Sequence, residues 1–131
     1  MIPRKDPVIV VGTTPDYIDE LRRKAPGEAI FLTDRRLRRR AAEEPPGPQE
    51  ELLGDLASSP AAAALLREHL ERWGLHPGGL ACYDCEALEL AAFLAERFAL
   101  PFASPEAVAR CRDKFRCKER WRAHRVPCPE A

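Results

Sequence analysis

The chain carries no excess charge of either sign, since 21 lysines and arginines face 21 aspartates and glutamates. A balanced surface creates no global field to draw in nucleic acid or an anionic membrane. Long apolar runs are also lacking. The longest near the amino terminus is Val8 to Val11, too short for a signal-peptide core or a membrane span. The five cysteines are an odd number and force no disulfide framework. In a chain of this size they read as reduced thiols, which predicts a cytoplasmic location. Neither of the glycine-rich phosphate fingerprints, G-x-G-x-x-G or G-x-x-x-x-G-K-S/T, occurs. The expectation is a soluble cytoplasmic protein with no nucleic-acid and no membrane partner.

What is present fits one hydrophobic core in 131 residues, with 45% hydrophobic and 32% charged residues. Val8 to Val11, closed by Gly12, is apolar on both faces, as a central parallel strand is. Thr14-Pro15-Asp16 supplies a capping hydroxyl, a proline at the first helical position and an early acid. Pro26-Gly27 stops that helix, and Ala29 to Leu32 is a second strand, giving a βαβ unit. Glu43 to Pro48 reads as an exposed loop, because its prolines remove donors. Glu51 to Leu56 is a weak edge strand. A helix follows from Ser59-Pro60 to about Trp73, its inward face carrying Ala62, Leu65, Leu66, His69, Leu70 and Trp73. Gly79 to Tyr83 is a fourth strand, Asp84 caps a helix from Glu86 to Ala99, and Ser104-Pro105 opens another that Asp113 restarts. The order predicts a three-layer α/β/α, Rossmann-like domain on a parallel sheet of about four strands.

The segment from Gly79 to Pro129 resembles the end of the amino-terminal domain of ATP-grasp ligases, the pre-ATP-grasp (biotin-carboxylase-amino-terminal-like) domain. The residues that carry the resemblance are Asp84-Cys85-Glu86, the Ala/Leu-rich stretch Leu88 to Ala99, Leu100-Pro101 with Ser104-Pro105-Glu106-Ala107, the pair Asp113-Lys114, and Val126-Pro127-Cys128-Pro129. Two positions depart from the pattern, Arg125 and Phe102 standing where glycine is usual. The resemblance implies a Rossmann-like domain over 1–103 and a helical linker over 104–131, leading into ATP-grasp domains beyond Ala131. It implies a parent carboxylate-amine or carbamoyl-phosphate-synthase-like ligase that activates a carboxylate as an acyl phosphate for attack by an amine. ATP and Mg would be held mainly by those further domains, so this stretch alone would not be catalytic. Its partners would be the rest of the same polypeptide and small carboxylate and amine substrates. Of the family's contacts only Lys114 carries over, toward the nucleotide phosphates, where a compact ammonium suits the charge. A lysine at a helix start is otherwise simply solvated.

Other signals stand beside that resemblance. Gly12, Thr13 and Thr14 lie where a strand meets a helix, a natural anion site, and with Asp84 and Glu86 they are candidate substrate contacts. The competing reading is an ordinary βα turn. Cys82-x-x-Cys85 is open to a redox or zinc role, or to Cys82 being a small core hydrophobe. The run Arg35-Arg36-Leu37-Arg38-Arg39-Arg40 has no interleaved aromatic residue for base stacking, and reads as a solvated helix face or a partner contact. His69 and His124 read as packing groups on helices. Two rivals to the ligase domain remain: a stand-alone small-anion or nucleotide-binding module built on Gly12 to Asp16, and an interaction domain using the arginine run and the proline loop. A domain parted from its neighbours would also expose an apolar face able to self-associate.

Overall fold

A computed structural model describes residues 2–130. Four parallel strands, β1 (Val8–Val11), β2 (Ala29–Asp34), β3 (Glu51–Gly54) and β4 (Gly79–Ala81), form one sheet in the order β3-β2-β1-β4. The expected α/β architecture with a small parallel sheet is thus the observed one. The central strands are the most apolar, because both of their faces are covered: Ile9, Val11, Ile30 and Leu32 have no exposed surface. Strands β3 and β4 lie at the edges.

Helices α1 (Pro15–Lys24) and α2 (Arg35–Arg40) cover one face of the sheet, and α3 (Ser59–Trp73) and α4 (Leu88–Arg97) the other. Strand alternation assigns the side chains. Ile9, Val11, Ile30, Leu32, Leu52 and Leu80 point toward α3 and α4, where Leu66, Leu70, Leu90 and Leu94 complete a large apolar core. Val10 and Phe31 point the other way onto Ile18, with Leu21 and Ala29 packed around them. Phe31 stands beside Glu51 in the β2–β3 register, so Glu51 and Thr33 share that second face.

There one residue of the arginine run, Arg38, departs from the expectation of a solvated face. Asp34 caps α2 by accepting from the Arg36 amide at 2.7 Å. That orientation turns Arg38 inward, where its Nε and Nη2 donate to Glu51 at 2.9 and 2.5 Å. Thr33 donates its hydroxyl to the same carboxylate at 2.9 Å. Arg22 of α1 forks onto the buried Glu50 at 3.0 and 3.1 Å. Only Arg35, Arg36, Leu37, Arg39 and Arg40 of the run remain exposed.

The fourth helical segment begins later and tighter than the sequence predicts. Asp84 Oδ1 accepts from the Glu86 amide, only two residues on, so Cys85–Ala87 winds as a 3-10 turn before α4 starts at Leu88. Helix α5 (Pro105–Arg112) is capped by Ser104 and packs Val108 against the body. Helix α6 (Lys114–Ala123) starts at Asp113, whose carboxylate accepts from two amides, and buries none of its residues. Phe115 and Trp121 on it are exposed. At its end Arg125 has φ +57°, the left-handed conformation that glycine adopts freely, and Val126 N donates to Trp121 O at 2.8 Å. An arginine therefore takes here a conformation that glycine adopts more readily. After α4 the left-handed position falls at Ala99 (φ +53°), three residues before Phe102. His124 is exposed at the end of α6, its Nδ1 2.9 Å from Arg120 O, and is not a packing group.

Candidate functional site

In this strand order the chain leaves β1 toward β2 on one side and returns to β4 on the other. The crevice between the carboxyl ends of β1 and β4 is therefore the switch point at which open parallel sheets bind ligands. Its walls are the loop after Val11 and the loop after Ala81. Five of the expected site residues, Gly12, Thr13, Thr14, Asp84 and Glu86, lie on these two loops.

The two loops touch. Gly12 has φ +73°, and a Cβ placed on it would lie 2.5 Å from Ala87 Cβ. A side chain there is excluded by backbone conformation and by space together. This close approach alone accounts for glycine at position 12. Thr13 is buried beside it. Thr14 occupies the N-cap position of α1 but makes no capping bond. Its hydroxyl serves Asp16, holding that exposed carboxyl below its usual range. Asp84 is occupied in capping the 3-10 turn, and Glu86 pairs with Arg112 of α5 at 3.2 Å.

Three residues of this region carry no signal in the sequence motifs. Tyr17 and Tyr83, both exposed, stack across the crevice with ring centroids 6.4 Å apart and planes inclined by 22°. Arg112 joins the crevice to the next feature, since it pairs with Glu86 and also lines a cavity of about 410 Å³. That guanidinium is raised above its ordinary pKa first by Glu86 and then by Cys85. Position alone could have flagged these residues: one tyrosine lies in the first turn after β1, the other just after β4, and Arg112 immediately precedes Asp113-Lys114.

Lys114 lines the same cavity, with Leu88, Ala103, Ala107 and Val108 forming its apolar wall. The cavity thus presents two cations over hydrocarbon. The cysteine pair divides between two environments. Cys82 is half-buried, its thiol donates to Asp84 O at 3.1 Å, and burial pushes its pKa up. Cys85 is exposed. A raised, hydrogen-bonded thiol is a poor nucleophile and a poor metal ligand. Among the described residues no three His, Cys, Asp or Glu side chains gather as a metal site. No helix among them is long and apolar enough to cross a membrane.

No family model matches the sequence, and no curated protein matches it. Among solved structures the chain is similar to an L-amino acid ligase from Bacillus licheniformis, with a TM-score of 0.68 and 17% identity. The likeness covers 95% of this chain but 31% of that ligase, so the chain spans about a third of its length. At that identity the shared property is the fold.

Proposed function

We propose that this chain is the amino-terminal domain of an ATP-dependent ligase of the ATP-grasp type, joining a carboxylate to an amine through an acyl phosphate. The observation that carries the reading is the agreement of two independent likenesses. Gly79 to Pro129 resembles the end of such a domain, and the fold superposes on about a third of an L-amino acid ligase. In this reading residues 1–103 form the domain proper, and 104–131 lead into domains that hold most of the nucleotide. Gly12 to Thr14, Asp84 and Glu86 form one wall of the acceptor cleft, which Tyr17 and Tyr83 border.

Lys114 is the nucleotide contact in this proposal, with Arg112 as a second cation on the same cavity. Two donors of that kind suit phosphate oxygens. Magnesium needs clustered carboxylate oxygens, which the described residues do not gather, so no step through the metal is assigned to them. What these residues can do is fix the loop geometry and place positive charge beside the cleft. The partners are the remaining domains, with small-molecule substrates between them, and the location is the cytoplasm.

The test is to read the gene past the codon for Ala131 and express the whole reading frame. Expected is a continuation with a strand-borne lysine, a glycine-rich flap and a Glu/Asn cluster, and a product that forms ADP from ATP only when amino acids are supplied. In that protein Lys114→Ala should raise KM for ATP. A frame that stops at Ala131, with no ligase subunit encoded beside it, would overturn the proposal.

A further inference from the structure

The arginine run leaves a second feature at the same edge of the sheet, beyond the ends of β2 and β3. A cavity of about 170 Å³ is lined there by Asp34, Arg35, Arg36, Arg39, Gly54 and Asp55. Its three guanidinium groups form no ion pair among the described residues, whereas Arg22 and Arg38 nearby are both committed to glutamates. Arg35 is held over the end of β3, its Nη2 3.4 Å from Leu53 O. Both carboxylates at the cavity use Oδ1 to cap backbone amides, Asp34 that of Arg36 at 2.7 Å and Asp55 that of Ala57 at 3.0 Å. Oδ2 of each makes no hydrogen bond among the described residues. Three arginines against two aspartates leave this concave surface one positive charge in excess, a local field that a net charge of zero conceals.

We propose that this cavity binds a proton-bearing phosphate group, either free hydrogen phosphate or the monoanion of a small phosphate monoester. Arginine forks match the tetrahedral oxyanion through paired N–H donors. The carboxylates decide which anion. An aspartate Oδ2 can accept the O–H of hydrogen phosphate, but it only repels sulfate, which carries no proton at neutral pH. The same two acids disfavour a long polyanion, and no aromatic residue stands among the arginines to stack a base. This inference is independent of the ligase reading, since it uses neither Lys114 nor the β1–β4 crevice.

The experiment is a titration of the full chain, followed by amide chemical shifts, with inorganic phosphate and then sulfate at fixed ionic strength. Saturable shifts confined to Arg35–Arg39 and Gly54–Ala57, with phosphate tighter than sulfate, are expected. Arg36→Glu with Arg39→Glu should weaken phosphate by at least about tenfold. Because both side chains are exposed, circular dichroism should show that variant folded. Asp55→Asn keeps the amide cap but loses the acceptor charge, so sulfate should gain and the preference for phosphate shrink. Glycerol phosphate at about pH 6, near the second pKa of a monoester, separates the two sources. Binding of it assigns an ester, and its exclusion assigns free phosphate. Absence of saturation by phosphate overturns the proposal, as do shifts elsewhere in the wild-type chain. Tighter, salt-sensitive binding of a single-stranded oligonucleotide at these residues would also overturn it.

Discussion

The two faces of the sheet are held by different means. Toward α3 and α4 the contact is hydrocarbon, with Ile9, Val11, Ile30, Leu32, Leu66 and Leu94 all lacking exposed surface. Toward α1 and α2 the apolar patch is small, centred on Val10, Ile18 and Phe31, and the remaining area is closed by Arg38–Glu51–Thr33 and Arg22–Glu50. The first arrangement is tolerant of detail, because burial energy follows area and has no direction. The second depends on geometry, because a buried charge without its partner is expensive. One Arg38 nitrogen, Nη1, is already buried without a hydrogen bond.

The largest expected effect breaks the charged face. Glu51→Ala leaves Arg38 and the Thr33 hydroxyl buried without their acceptor, and should destabilise by about 3–5 kcal/mol in urea denaturation. The sharper test is to replace the whole network. Thr33→Val, Arg38→Met and Glu51→Leu together should be near neutral or stabilising, because hydrocarbon of similar volume commonly equals a buried ion pair. A triple variant as unstable as Glu51→Ala alone would show that this face needs its charges for more than mutual compensation.

The matching cut in the apolar face is Leu66→Ala, expected to lose about 2–5 kcal/mol through burial and cavity terms together. Here replacement by another hydrocarbon should rescue. Leu66→Met should recover most of the loss, since volume-conserving swaps in a core typically cost less than about 1.5 kcal/mol. No conservative swap should rescue Glu51 in the same way. Glu51→Gln keeps the shape but leaves Arg38 without its counter-charge.

A third contrast is confined to a pH window. His69 of α3 is buried at the border of the apolar face, with Nε2 3.0 Å from Gln49 O. Since a carbonyl can only accept, Nε2 carries the hydrogen. Burial lowers the His69 pKa below its ordinary 6.5, with the Arg72 charge adding to the effect. The folded state therefore binds fewer protons than the unfolded state once the pH falls below about 6.5. Its stabilising contribution is present above that value and is lost as the pH drops toward the lower folded pKa. Urea midpoints between about pH 7.5 and 5.5 should fall on acidification, and His69→Gln should flatten that slope. Neither network of the opposite face, Arg38–Glu51–Thr33 or Arg22–Glu50, contains a histidine.

The apolar half of this design is legible in the sequence, and the charged half is not. Val8 to Val11 and Ala29 to Leu32 read as buried strands because every residue is apolar, and α3 announces itself by spacing and by Gly74 at its left-handed end. The inward turn of Arg38 depends on the Asp34 cap and on Glu51 arriving beside Phe31, a register set by the whole sheet. Composition saw five arginines near four acids. It could not say that Glu50 takes Arg22 from another helix, leaving Arg35, Arg36 and Arg39 around a cavity. The candidate site divides similarly. The loops after β1 and β4 were identifiable from turn residues, whereas the Tyr17–Tyr83 stack and the Glu86–Arg112 bridge follow from tertiary placement.

The smallest effect concerns how the helices on the two sides of the molecule begin. Thr14-Pro15-Asp16 and Ser104-Pro105-Glu106 are nearly the same string, and both predict a hydroxyl cap. Only one delivers it. Ser104 Oγ accepts from the Ala107 amide at 3.1 Å, while Thr14 leaves the α1 amides uncapped and donates instead to Asp16. Ser104→Ala should therefore lose about 1 kcal/mol, the usual value of an N-cap. Thr14→Ala should lose markedly less, because its hydroxyl bonds an exposed carboxylate that water can serve as well. Equal losses at the two positions in parallel urea titrations would mean that Thr14 does cap α1 in solution. The α1 side would then be held at its helix start as the α5 side is, and the contrast between the faces would rest on the buried ion pairs alone.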